Sequence, residues 1–273
     1  MVNKDAPIGV FDSGVGGLTV VKEIMQQTPD EGIVYFGDTA RVPYGSKSKE
    51  TITRYSRQIV NFLQTQEVKA IVVACNTASA YALAELEKEV DIPIIGVVKP
   101  GVLVATQATH NGKIGVIGTE GTISSQIYPD YINEISPNAT VYGKACPLFC
   151  PLVEEGLLQD PVTDEIANRY LTELIDIGID TLILGCTHYP LIRSTVAKIM
   201  GKDVTLVNPA YETARELKEL LQEKDLSTDK KAQLGDNRYR FYVSDAADKF
   251  KQFANSIIKY GILSAKTINI EEY

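Results

Sequence analysis

"VVACNTASA", residues 72–80, ends an apolar run in a cysteine followed by asparagine and threonine. A continuous hydrophobic stretch that stops at small polar residues is how a buried strand of a parallel sheet is written, the polar residues marking where the chain emerges at the carboxyl edge. Ligands of open α/β sheets sit outside that edge. Further along, "LILGCTHYP", residues 182–190, repeats the order of apolar run, cysteine, threonine and polar partner. Two strands tipped in the same way predict a fold built from repeated βα units.

Around the first cysteine, "PIGVFD", "GIVYFGD" and "AIVVAC" alternate with the amphipathic "GLTVVKEIMQQ", "ETITRYSRQIVNFLQ" and "ASAYALAELEKEV". Parallel strands joined by crossover helices give that alternation. The pattern restarts at "GKIGVIGTEGTI" and runs through "ATVYGKACP" and "TDEIANRYLTELIDIG" to "TLILGC". "IGVFDSGVGG" from Ile8 aligns with "IGVIGTEGTI" from Ile114, and Cys75 aligns with Cys186 once a few loop residues are allowed in the second half. The expected fold class is therefore α/β: two pseudo-symmetric domains, each a mostly parallel sheet flanked by helices, with the site in the cleft between them. Their expected extents are 1–98 with 208–273 for a discontinuous first domain and 99–207 for the second. The later "RYRFYVSDAADKFKQFANSI" adds a strand and a helix that return to the first half, while "EKDLSTDKKAQLGDNR" reads as an exposed loop.

Composition narrows the class. The 273 residues are 44% hydrophobic and 23% charged, with a net charge of −8 and scattered lysines. That balance argues against a general nucleic-acid surface. No apolar run approaches the roughly 18 residues of a membrane span, and "MVNKDAPIGVF" lacks the pattern of a secretory signal, which makes the cytoplasm the expected location. Four cysteines in such a chain are read as core filler, metal ligands or reactive thiols rather than as a disulfide framework.

Several constellations bear on chemistry. "FDSGVGGLTV" leaves a strand and opens a helix, placing Asp12 and Ser13 at the strand end and glycines where backbone N–H groups can approach an anion. A dinucleotide fingerprint is the rival reading, one glycine short, with Asp38 at the distance of a ribose-binding acid. Either cysteine alone would be ordinary packing, but matched positions in matched units argue for function. His188 stands two residues past Cys186, close enough to exchange a proton with it. Zinc is an alternative, since "CPLFC" offers Cys146 and Cys150 at a permissible spacing beside Cys186 and His188; against it, Cys150 lies among prolines and apolar residues. In "PLVEEG", Glu154 and Glu155 are either a solvated helix start or a carboxylate aimed into the cleft. The Pro43-Tyr44-Gly45 turn offers a hydroxyl and bare backbone that can close over a ligand.

Taken together, "FDSGVGG", "DTARVPYG", "ACNTASA", "PLVEEG" and "GCTHYP" resemble the cofactor-independent aspartate/glutamate racemase family, in that family's order and across essentially the whole chain. The resemblance implies an isomerase that racemises glutamate for peptidoglycan synthesis, with aspartate the rival substrate. It implies catalytic thiols at Cys75 and Cys186, with Asp12 assisting Cys75 and Glu154 and His188 among the acid–base groups. It further implies substrate contacts at Asp12, Ser13, Tyr44, Gly45, Asn76, Thr77, Thr119, Thr122, Thr187 and His188. It implies no cofactor and no metal, and neither cysteine turn contains a lysine that could hold pyridoxal phosphate. Small-molecule glutamate is the expected partner, with no nucleic acid and no membrane; the assembly is left open, a homodimer being one arrangement. Cys150 departs from the family's usual apolar residue and touches none of the implied roles.

The chemistry is consistent with two thiols. Inverting Cα requires a proton to leave one face and another to arrive on the opposite face, which two opposed acid–base groups can do without moving. A free thiol has a pKa of about 8.5, so one can be a thiolate while its partner remains a thiol.

Overall fold

A computed structural model describes residues 3–232, 238–258 and 264–273. Its strands are β1 (Ile8–Asp12), β2 (Ile33–Gly37), β3 (Ala70–Val73), β4 (Ile94–Gly96), β5 (Lys113–Gly118), β6 (Thr140–Ala145), β7 (Thr181–Gly185), β8 (Thr205–Val207), β9 (Tyr239–Val243) and β10 (Ala265–Thr267). They form two sheets, ordered β10-β9-β2-β1-β3-β4 and β6-β5-β7-β8. Every pairing is parallel. The repeat seen in the sequence is reproduced in the topology: β2-β1-β3-β4 and β6-β5-β7-β8 are the same arrangement, with Ile8 opposite Ala70 in one and Ile114 opposite Thr181 in the other. Cys75 follows β3 and Cys186 follows β7, so the two cysteines occupy equivalent strand ends.

The strands β1, β2, β3 and β7 are buried along their whole length because helices cover both sheet faces. Successive side chains point to opposite faces. Ile8, Val10, Ile33 and Tyr35 therefore enter one core with the helices Leu18–Gln27 and Pro209–Glu223. Phe11, Val34 and Phe36 enter another, with the helices Lys49–Thr65 and Asn76–Leu86. In the second sheet, Leu182 and Leu184 face the helix Pro161–Ile177, while Ile183 faces the helix Val98–Ala108.

The returning strand and helix are present as β9, which extends the first sheet beside β2, and the helix Ala247–Ile257. Beyond them β10 adds an edge strand that "AKT" does not announce, since it contains no apolar run. The segment expected to be an exposed loop is tied down instead. Leu226 is buried, Thr228 N donates to Glu31 Oε1 at 3.0 Å, and Ala232 N donates to Asp30 Oδ1 at 3.0 Å. Its residues 233–237 lie outside the described residues.

Candidate active site

Cys75 caps the helix Asn76–Leu86, its Sγ accepting from Ala78 N at 3.4 Å and donating to Ser13 Oγ at 3.7 Å. A helix N-terminus favours a thiolate. Burial works the other way and is the larger effect: together with the Asp12 carboxylate it pushes the Cys75 thiol up to about 12. Ser13 reaches the sulfur because β1 and β3 are neighbours that end level with each other.

Asp12 is fully buried. The glycine-rich turn expected to present donors to an anion presents them to Asp12 itself: Gly14 N donates to Oδ2 at 3.0 Å, and the N–H groups of Ser13 and Gly17 also face the carboxylate. Burial nevertheless raises the Asp12 carboxyl, with the His188 charge opposing it. Gly17 is required by contact, since a Cβ there would lie 2.4 Å from Asp12 Cβ. The dinucleotide reading is set aside on the same geometry. Asp38 is buried, and its two oxygens already accept from Arg41 Nε, Tyr44 OH and Ser244 Oγ, leaving no place for a ribose.

Across the cleft, Cys186 is followed by Thr187 and His188 in the turn after β7. His188 Nε2 is 2.9 Å from Glu154 Oε1, and Nδ1 is 3.8 Å from Cys186 Sγ. A carboxylate on one ring nitrogen fixes the ring's orientation and leaves the other nitrogen facing the thiol. Burial opposes a charge on His188, but Cys186, Glu154 and Asp12 together push it up to about 10. The neighbouring Cys150 thiol and then burial hold Cys186 well above the ordinary thiol range, while His188 opposes them. Glu154 closes the short helix Phe149–Glu154 rather than starting one, and its bond to His188 lowers its pKa; Glu155 faces solvent.

The halves meet through polar contacts. Thr19 Oγ1 donates to Thr187 O at 2.9 Å, and Thr187 Oγ1 donates to Asp12 Oδ1 at 3.4 Å. Thr77 Oγ1 lies 2.9 Å from Thr119 Oγ1 and 3.1 Å from Thr122 Oγ1. Tyr128 OH donates to Asn76 Oδ1 at 2.6 Å. A Cβ on Gly16 would lie 2.4 Å from Thr187 Oγ1 and 2.5 Å from His188 Nδ1, and one on Gly45 would lie 2.6 Å from Thr119 Cβ. Glycine at these two positions lets one half's backbone touch the other half's site.

A profile of the Asp/Glu/Hydantoin racemases matches residues 8–217. The chain belongs to that family. The glutamate racemase of Geobacter metallireducens is 48% identical over 92% of this chain and 92% of its own. Among solved structures, the RacE1 isoform of Bacillus anthracis glutamate racemase superposes with a TM-score of 0.93 at 42% identity, covering 97% of this chain and 98% of that one. The Francisella tularensis glutamate racemase, solved in complex with D-glutamate, gives 0.92 at 40% identity over 99% and 100%.

In this racemase the structure gathers Asp12, Ser13, Cys75, Asn76, Thr77, Thr119, Thr122, Glu154, Cys186, Thr187 and His188 around the cleft. Gly45 is at its rim, against Thr119. The Tyr44 hydroxyl donates to Asp38 Oδ2. Two neighbours escape sequence reasoning. Tyr128 sits in an unremarkable helix, and nothing local marks it as the donor to Asn76. Cys150, which the sequence offers only as a candidate zinc ligand set among apolar residues, has its Sγ 3.5 Å from Cys186 Sγ. Cys146 is directed elsewhere, donating to Lys144 O at 3.6 Å. No helix among the described residues is long and apolar enough to cross a membrane.

Proposed function

We infer that the chain is a glutamate racemase that exchanges the Cα proton between two opposed thiols. One observation carries the mechanism: two buried cysteines at equivalent strand ends of two sheets with the same strand order, each with its own polar partners. Cys186 takes the proton from L-glutamate and Cys75 delivers one to the opposite face; the reverse reaction exchanges their roles. His188, held by Glu154, stabilises the Cys186 thiolate, and Asp12 stands beside Cys75. Cα–H is far less acidic than a thiol, and each unit of mismatch costs about 1.4 kcal/mol, so the carbanionic transition state needs strong local stabilisation. Ser13, the Asn76–Thr77 and Thr187–His188 turns, and Thr119 and Thr122 supply donors for the substrate carboxylates. The sheet memberships support a division into 1–98 with 208–273 and 99–207, and the product suits a role in peptidoglycan synthesis.

The substrate assignment rests on the relatives named glutamate racemase. Circular dichroism of separate L-glutamate and L-aspartate solutions, with purified protein and no additive, tests it. The glutamate signal should decay to zero while aspartate stays optically active. Racemisation of aspartate alone, or of neither, refutes the assignment.

A further inference from the structure

Cys150 Sγ, Cys186 Sγ and a ring nitrogen of His188 all lie within 4.8 Å of one another. The S–S separation is 3.5 Å and the Cys186 Sγ–His188 Nδ1 separation is 3.8 Å. Bonds of about 2.3 Å to sulfur and about 2.0 Å to imidazole in a tetrahedral zinc site place two thiolates ~3.8 Å apart and a thiolate ~3.6 Å from the nitrogen. The side chains thus stand within a few tenths of an ångström of those two ligand-to-ligand distances. The neighbouring group fits as well: Glu154 Oε1 holds His188 Nε2 at 2.9 Å, the carboxylate–histidine arrangement that orients an imidazole towards a metal through its other nitrogen.

We propose that Cys150, Cys186 and His188 form a three-donor site for a thiophilic divalent cation of the zinc class, and that its occupation inhibits racemisation. Two sulfurs and an imidazole select soft or borderline ions over magnesium or calcium. The bound ion engages the Cys186 sulfur lone pair that would otherwise accept the Cα proton, and it displaces the thiol proton to solvent. The site depends on Cys150, which is only partly buried and which the proposed proton transfer does not use. The inhibitory consequence rests on the racemase reading; the binding site does not.

The test uses reduced, metal-free protein under argon. Cobalt(II) should give the sulfur-to-metal charge-transfer absorption of a two-thiolate tetrahedral site at one equivalent, bleached by Zn²⁺, and Zn²⁺ should abolish racemisation over the same titration. Cys150→Val should lose about half the charge-transfer intensity and, measured against its own metal-free rate, need at least tenfold more Zn²⁺ for half-inhibition. Cys150→Ser, which keeps the volume and removes the soft donor, should behave likewise, and Cys146→Ser should match the parent. A parent protein with no charge-transfer band, or Cys150 variants with the parent's band and zinc sensitivity, overturns the proposal. A protein that shows the band but racemises nothing supports the site and refutes only the activity.

Discussion

Burial at Cys75, and the Cys150 thiol and then burial at Cys186, hold a proton on each sulfur, and the proposed reaction needs one of them to lose it. Cys75→Ser and Cys186→Ser should each lower kcat roughly 10³-fold or more with the circular dichroism of the fold unchanged, because a serine hydroxyl is too weak an acid to replace either thiol. A variant that kept a tenth of the activity would remove that cysteine from the reaction. The pH dependence has a definite sign. With the Cys75 thiol pushed up to about 12, the fraction of free enzyme carrying one thiolate grows as pH rises. log kcat/KM should therefore climb with a slope near one over about pH 6 to 9. The enzyme forms that start from L- and D-glutamate differ only in which thiol lost the proton, so they belong to one macroscopic state and the two profiles should coincide. A plateau across that range in either direction would show that deprotonation of the pair does not limit turnover.

At the scale of elements, the site exists because loops after β1, β3 and β7 converge, and glycines set how closely. Gly16→Ala puts a methyl 2.4 Å from Thr187 Oγ1 and 2.5 Å from His188 Nδ1, so the turn after β7 must retreat. A displacement of about 1 Å can cost on the order of 10²-fold in rate. The expected outcome is a kcat/KM loss of that order with little change in unfolding temperature. Asp160→Ala is the converse case: Asp160 caps the helix Pro161–Ile177 through Val162 N at 2.8 Å, on the outer face of the second sheet. Its loss should destabilise the protein by about 1 kcal/mol in urea unfolding and leave kcat/KM unchanged. If the two variants showed the reverse pattern, Gly16 would be a stability residue and not a spacer.

For the whole molecule, the decisive property is that the two thiols stand at equivalent strand ends of separate sheets, each sulfur-bearing residue only 6% exposed. Suppose the enzyme, equilibrated in D₂O, acts on L-glutamate and is sampled early. D-glutamate should carry deuterium at Cα from the first turnover, because Cys75 has already exchanged. Recovered L-glutamate should remain largely protiated, since Cys186 can return only the proton it has just removed. Equal early labelling of both enantiomers, followed by NMR after chiral separation, would mean a single mobile base and defeat the two-thiol geometry.

Much of this was legible in the chain. Strand ends were marked by Asp12, Cys75 and Cys186 because a buried parallel strand must be apolar along its length and can turn polar only where it leaves the sheet. The doubling of the fold was legible from Ile8 and Ile114, and the partnership of His188 with Cys186 from their adjacency. Short β10 and the tethered segment before β9 were not legible, since their positions depend on β9, Asp30 and Glu31 and not on any local period. The same holds for the finer chemistry. That Gly14 serves Asp12, that Tyr44 serves Asp38, that Tyr128 reaches Asn76 and that Cys150 abuts Cys186 are facts of tertiary packing. The sequence by itself determined which residue types stand at the strand ends, because backbone periodicity and burial are written locally. Only the tertiary structure decided which of them touch, because contacts between residues far apart in the chain follow from how two sheets dock.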